Sequence, residues 1–207
     1  MHNVKIKLPP KTSVVLASGS PRRRELLEQI GLPFTVVPSS ADETISEGLS
    51  PSMAVQSLSL LKAADVAKSQ TEEALIIGAD TVVVLNGEIL TKPRDGQDAA
   101  GMLRRLSGRC HSVLTGLTVF RRKDGKSVSV TEETLVYFKP LSESEIASYV
   151  ASKEPLDKAG SYGIQGLGGL FIEKIEGDYY NVVGLPLARL GKLLQEEFEI
   201  ELIWEVK

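Results

Sequence analysis

Short β-branched runs alternate along the chain with stretches in which apolar residues recur every three or four positions. VVLA (14–17) has the pattern of a buried strand. Ser20 as N-cap and Pro21 at the first helical position predict a helix running to about Ile30, closed by Gly31. FTVV (34–37) is the next strand, followed by the acidic loop SSADETISEGLS (39–50). Pro51 opens a longer helix ending near Lys68, with Ala54, Val55, Leu58, Leu61 and Val66 inward and Lys62 on the polar face. ALIIGAD (74–80) is a buried-type strand that continues into TVVVLNGEILTKP, where Asn86-Gly87 marks a tight hairpin. Residues 95–108 read as a helix ended by Gly108. VLTGLTVFRR (113–122) and SVSVTEETLVYF (127–138) are long strands around Lys123-Asp124-Gly125. Ser142 and Glu145 form a capping box for a helix to about Ala151. A glycine-rich stretch (160–169), the strand LFIEKI (170–175), the run YYNVVG (179–184), a helix from Pro186 to about Phe198 and the strand IELIWEV (200–206) complete the pattern. The order predicts an α/β fold with a mixed, twisted sheet flanked by helices, one domain over residues 1–207, two-lobed around a cleft.

Composition narrows the classes. The chain has 207 residues, 42% apolar and 25% charged, which suits a water-soluble globular protein. A net charge of −3 argues against a general nucleic-acid or membrane-surface binder. The single cysteine, Cys110, excludes an internal disulfide and suits a reducing compartment. With two histidines, His2 and His111, an ordinary zinc site is hard to assemble. MHNVKIKLPPK lacks the apolar run of a signal peptide, and no stretch reaches membrane-spanning length, so the cytoplasm is expected.

LASGSPRRREL (16–26) holds the first candidate chemistry. Three adjacent arginines at a helix start already carrying partial positive charge call for an anion nearby. Leu26, Leu27 and Ile30 define the inward stripe, and stepping back along it reaches Arg22 and Arg23. Arg24 falls on the other side, one turn before Glu28, where an exposed ion pair is expected. Small residues Ser18, Gly19 and Ser20 let backbone amides approach a ligand, so the segment reads either as a phosphate site or as a solvated helix start.

Asp80 stands where a buried strand gives out, the usual place for ligands in α/β sheets, although a turn-making Asp has the same signature. A two-residue turn at Asn86-Gly87 puts Thr81 opposite Lys92 and Lys92 one step from Asp80. A regular pleat sets those two side chains on opposite faces, and Pro93, which breaks the ladder, leaves either orientation open. Asp42 and Glu43 are further carboxylates; Asp80 with Glu43 suits a hard cation such as Mg²⁺ shared with phosphates, and a solvated loop acid is the alternative. In DKAGSYGIQGLGG (157–169) no strand–helix crossover supports a dinucleotide fingerprint. Its glycines permit tight turns beside a ligand or simply form a surface loop, and Gln165 offers both a donor and an acceptor. DGKS (124–127) has no upstream glycine for a phosphate-binding loop and is set aside.

Together ASGSPRR (17–23), GADT (78–81), KP (92–93), LSG with His111 (106–111) and DKAGSYGIQGLGG (157–169) closely resemble the Maf family of nucleoside triphosphate pyrophosphatases, in order and spacing from about Val14 to Leu193. GADT and YGIQ are similar to the branch acting on dTTP and UTP, where a branch acting on 7-methyl-GTP carries GSDQ. The resemblance implies an elongated mixed sheet with a cleft, as in inosine triphosphate pyrophosphatases, in a cytoplasmic, metal-dependent and often homodimeric enzyme. It implies Asp80 as catalytic proton acceptor, and Ser18, Arg22, Arg23, Glu43, Lys62 and Lys92 around the phosphates and a Mg²⁺ or Mn²⁺ ion, with Glu43 and Asp80 as ligands. Arg22, Thr81 and Gln165 bear on base selection. Modified pyrimidine nucleotides are a further substrate class. Some bacterial members are linked to septum formation, which makes a nucleotide-sensing regulator of cell division the alternative. MHNVKIKLPPK and IELIWEVK lie outside the resemblance.

Overall fold

The computed structural model describes residues 4–44 and 48–206. His2 and residues 45–47 of the acidic loop lie outside the described residues. In chain order the elements are strand β1 (Val4–Lys7), β2 (Ser13–Leu16), helix α1 (Pro21–Gln29), β3 (Thr35–Val36), α2 (Pro51–Ala67), β4 (Ala74–Leu85), β5 (Glu88–Leu90) and α3 (Gly96–Leu106). They continue as β6 (Cys110–Arg121), β7 (Ser127–Phe138), α4 (Glu143–Ala151), three short 3₁₀ turns (Glu154–Asp157, Ala159–Ser161, Leu167–Phe171), β8 (Ile172–Glu176), α5 (Tyr179–Val183), α6 (Leu187–Glu196) and β9 (Ile203–Val206). Among these residues one sheet runs in the order β3-β2-β4-β6-β7-β8, with β5 paired to β4. It is mixed: β2 is parallel to β3 and β4, while β4–β5 and β7–β8 are antiparallel. This is the α/β class with a mixed sheet that the pattern predicts.

The chain divides into two compact units. One comprises residues 1–80, 115–132 and 184–207, the other 81–114 and 133–183. Among the described residues no helix is long and apolar enough to cross a membrane.

In the first unit, Val15, Ala17, Ala63, Val66, Ala67, Ala74 and Ile76 pack together. Small residues seat α2 on the sheet. A Cβ added at Gly78 of β4 would lie 2.2 Å from the Ser59 carbonyl oxygen, and one at Gly116 of β6 would lie 2.0 Å from that of Val55. The Ser59 and Thr118 hydroxyls meet at 2.7 Å, and Gln56 Nε2 donates to the Thr131 hydroxyl at 2.9 Å. Helix and strands thus touch backbone to backbone, a closeness that larger side chains would prevent. The expected inward stripe of α2 needs one correction. Leu61 is exposed and Lys62 is buried, because the buried face follows steps of four through Ala54, Leu58, Lys62 and Val66. The N-terminal segment, unassigned from pattern, forms β1 and pairs antiparallel with β9 from Val4↔Val206 to Lys7↔Ile203.

The second unit holds the hairpin. Leu85 faces Glu88 across Asn86-Gly87, whose φ values of 52° and 83° give the turn its required left-handed geometry. The ladder stops at Val83↔Leu90, so Thr81 and Lys92 are not ladder partners as the hairpin count predicts. Pro93 lacks the N–H that would continue it. The Ser142–Glu145 capping box is formed at α4 as expected, and YYNVV, whose pattern specifies no element, is helical.

The core of this unit includes Leu103, Leu106, Phe138, Tyr149, Tyr162 and Phe171, with His111 among them. His111 packs edge-on against Phe138 and its Nε2 lies 2.8 Å from the Tyr162 hydroxyl, while Nδ1 has no partner among the described residues. Burial pushes the imidazole pKa down to about 4. The unfolded chain titrates this group near 6.5, so between the two values it binds a proton that the folded chain refuses. Stability is therefore complete above about pH 6.5 and falls toward pH 4, by on the order of 3 kcal/mol. Thermal unfolding from pH 4 to 7 measures this. His111→Phe should flatten the profile, and an unchanged slope would assign the acid sensitivity elsewhere.

Candidate active site

Strand register brings the first residues together. Leu16 pairs with Ile77 in the parallel β2–β4 ladder, and the Ala17 amide donates to the Ile77 carbonyl at 2.8 Å. Ser18 lies just beyond the end of β2. Asp80 lies three residues past the last rung of the parallel ladder but inside β4, which runs on to Leu85 and does not give out at Asp80 as its sequence suggests. Both are buried.

From the end of β2 the chain turns through Gly19 and Ser20 into α1. Ser20 occupies the N-cap in an extended conformation without a side-chain capping bond, and the first turn has no acidic residue. The positive end of the helix dipole is thus left to other anions. Arg24 pairs with Glu28 at 3.5 Å on the exposed side, as its helical phase requires. Arg22 and Arg23 are half-buried. Arg23 donates through Nε to the Gly184 carbonyl at 2.8 Å and through Nη1 to the Ser18 hydroxyl at 3.1 Å. Burial lowers its pKa, opposed by the charges of Asp80 and Glu43 and reinforced by Arg22. The guanidinium stays cationic, since an arginine starts above 12.

The third component comes from α2. Its close seat at Gly78 puts Ser59 over β4 two residues before Asp80, and Lys62 follows one turn later. Lys62 Nζ lies 2.7 Å from Asp80 Oδ1 and 2.9 Å from Glu43 Oε2. Lys62 and Asp80 are nearly inaccessible, while Glu43 reaches in from an exposed loop position. Burying such a pair stabilises a fold little, because desolvation offsets most of the attraction; beside a second carboxylate and two arginines it is better understood as prepared electrostatics. Asp42 accepts hydrogen bonds from the Thr44 amide and hydroxyl.

Sequence pattern alone assigns Lys62 to solvent. The signal that finds it is its place four residues after Leu58 and four before Val66 on the buried stripe. Thr81, Lys92 and Gln165 belong to the other unit. Thr81 follows Asp80 directly on β4 and is half-buried; Lys92 and Gln165 are exposed.

Asp80 and Glu43 each give one carboxylate oxygen to the Lys62 ammonium, and each keeps a second oxygen able to ligate a cation. Among the described residues no group of three or more His, Cys, Asp or Glu gathers as a metal cluster. A hard divalent ion held by this carboxylate pair would therefore complete its six or so oxygen ligands from phosphate and water. The donor set fits such an ion in company with a polyphosphate.

The "Maf-like protein" family model matches residues 13–197. The chain is 52% identical to a dTTP/UTP pyrophosphatase of Thermoanaerobacter sp. (strain X514) over 190 residues, 92% of this chain and 99% of that one. It is 48% identical to a dTTP/UTP pyrophosphatase of Alkaliphilus metalliredigens (strain QYMF), with 92% and 98% covered. A similarly named protein of Bacillus cereus (strain B4264) is 50% identical, with 91% and 96% covered. Among solved structures, the Staphylococcus aureus Ham1 protein superimposes with a TM-score of 0.44 at 16% identity, covering 61% of this chain and 72% of that one.

Proposed function

The chain belongs to the Maf-like protein family, and on that premise we propose that it hydrolyses dTTP and UTP, and modified pyrimidine nucleotides beside them, to the nucleoside monophosphate and pyrophosphate. One observation carries the reading: a buried lysine holds two carboxylates, one of them on β4, in the unit where an arginine–serine pair marks the start of a helix without a side-chain cap. A triphosphate carries about four negative charges, so positioning and charge stabilisation supply most of the catalysis.

In this mechanism Ser18, Arg22 and Arg23 grip phosphate oxygens. The Lys62 ammonium has three N–H donors; Asp80 and Glu43 engage two, and the third serves a phosphate oxygen. Lys62 and Lys92 offset the charge that grows on the departing pyrophosphate. Asp80 orients the attacking water and accepts its proton as the new bond forms at the α-phosphorus and the bond to the bridging oxygen breaks. Mg²⁺ or Mn²⁺, held by Asp80 and Glu43, supplies neutralisation of triphosphate charge when bound. Base selection is assigned to Thr81 and Gln165 together with Arg22. The Gln165 amide offers a donor and an acceptor matching the O4 and N3–H edge of uracil or thymine. A homodimer resident in the cytoplasm completes the reading.

The test is the product released from dTTP, UTP and GTP with Mg²⁺ or Mn²⁺. Pyrophosphate from the two pyrimidine nucleotides is expected, with GTP slower. Orthophosphate as first product would overturn the cleavage site. Tight binding without turnover would instead favour a nucleotide-sensing regulator. Gln165→Ala and Thr81→Ala should each shrink the preference for dTTP over GTP; an unchanged ratio would remove these side chains from base selection.

A further inference from the structure

The segment carrying Gln165 is tied down from one side chain. Glu154, at the start of the first 3₁₀ turn, points its carboxylate into the bend formed by residues 163–168. Its Oε2 accepts from the Leu167 amide at 3.0 Å, and its Oε1 accepts from the Gly168 amide at 3.2 Å. The Tyr149 hydroxyl donates to the same Oε1 at 3.0 Å and itself accepts from the Gly163 amide at 3.3 Å. Amides on both sides of Gln165 are thereby connected to one carboxylate.

The glycines of this stretch fit the same contact. A Cβ added at Gly166 would lie 2.3 Å from Glu154 Oε1, and one at Gly168 would lie 2.7 Å from the Tyr149 hydroxyl. The backbone closes directly around the two polar groups, leaving no room for side chains between. Lys158 Nζ donates to the Glu154 carbonyl at 2.7 Å, fixing the turn from which the carboxylate projects. Burial works to raise the Glu154 pKa, but hydrogen bonds from the Leu167 and Gly168 amides and Tyr149 outweigh it and hold the group ionised.

We propose that Glu154 is a positioning residue for base selection, its carboxylate holding the 163–168 bend so that the Gln165 amide is presented in one orientation. This rests on the assignment of Gln165 to the base. Glu154 touches no reacting atom; it acts through the loop. An exposed glutamine on a glycine-rich segment samples many backbone states unless an anchor restricts it. A donor–acceptor edge that must match a base gains selectivity only when its orientation is fixed beforehand.

The test is a double-mutant cycle read as the ratio of kcat/KM for dTTP to that for GTP. Glu154→Gln keeps size but cannot accept two amide bonds and a hydroxyl together. It should reduce the ratio roughly five- to tenfold, mainly through KM for dTTP, with kcat little changed; Glu154→Asp should recover part of it. The decisive reading is coupling. In Glu154→Gln/Gln165→Ala the ratio should equal that of Gln165→Ala alone, because both changes abolish one contact. Independent, multiplying effects would overturn the proposal, and so would an unchanged ratio in Glu154→Gln while Gln165→Ala lowers it. If Gln165→Ala itself leaves the ratio unaltered, the base assignment fails first and takes this proposal with it. Should Glu154→Gln not fold, Tyr149→Phe removes the hydroxyl joining the carboxylate to Gly163, and the same cycle with Gln165→Ala decides.

Discussion

Asp80→Asn is expected to lower kcat on dTTP by roughly 10²- to 10⁴-fold, the range over which a positioned proton acceptor contributes. The amide retains the shape of the carboxylate and its acceptor oxygen toward Lys62 but loses the negative charge and the capacity to take a proton from water. Binding should move the other way. The cluster holds Arg22, Arg23 and Lys62 against Asp80 and Glu43, so deleting one anion raises the local positive charge facing a polyanionic substrate. The dissociation constant for dTTP, measured by titration calorimetry, should hold steady or fall while turnover collapses. A variant that binds poorly and turns over normally when saturated would show that Asp80 is a binding group with no part in the chemistry.

Gly116→Ala is expected to destabilise the protein by on the order of 4 kcal/mol, the range reserved for severe steric or burial defects. The added methyl carbon would sit 2.0 Å from the Val55 carbonyl oxygen, 2.3 Å from its carbon and 2.8 Å from the Gln56 amide nitrogen. All three are backbone atoms in a helix, so no flexible side chain can swing aside. Relief requires α2 to lift from β6, which opens the Ser59–Thr118 contact as well. Thermal unfolding should show a midpoint lower by roughly 10 °C. Activity should fall more than stability requires at temperatures where the variant is folded, because Lys62 rides on the displaced helix. Wild-type kcat in a folded Gly116→Ala protein would break the link between the helix seat and the Lys62–Asp80 contact.

Local chemistry explains what was legible in the chain. Asn86-Gly87 dictates its turn because few residue pairs tolerate two left-handed conformations in succession, and the register of β4 with β5 follows from it. Ser142 and Glu145 form their box because both partners lie within one turn of helix. Arg24 separates from Arg22 and Arg23 on helical phase alone. What failed depended on distant neighbours. Leu61 reads as core and Lys62 as surface until β4 supplies a carboxylate, which makes a buried lysine tolerable, and Gly78 of β4 with Gly116 of β6 lets α2 sit down on the sheet. In the sequence, only the family resemblance points to Lys62. Glu154 carried no signal: an acid between a lysine and a proline looks solvated, and its partners are amides up to fourteen residues away whose turn a pattern cannot place. β1 went unassigned because its partner strand lies at the far end of the chain.

The pairing of Val4 with Val206 leaves the two ends of the described chain about 5 Å apart, as opposite residues of an antiparallel ladder must be. A linker of a few residues can therefore join them into a ring without crossing the molecule. New ends can then be opened at Lys123-Asp124-Gly125, an exposed turn in the same unit. Such a circular permutant would retain every strand neighbour while reversing which segments leave the ribosome first, so the order of synthesis becomes separable from the order of folding.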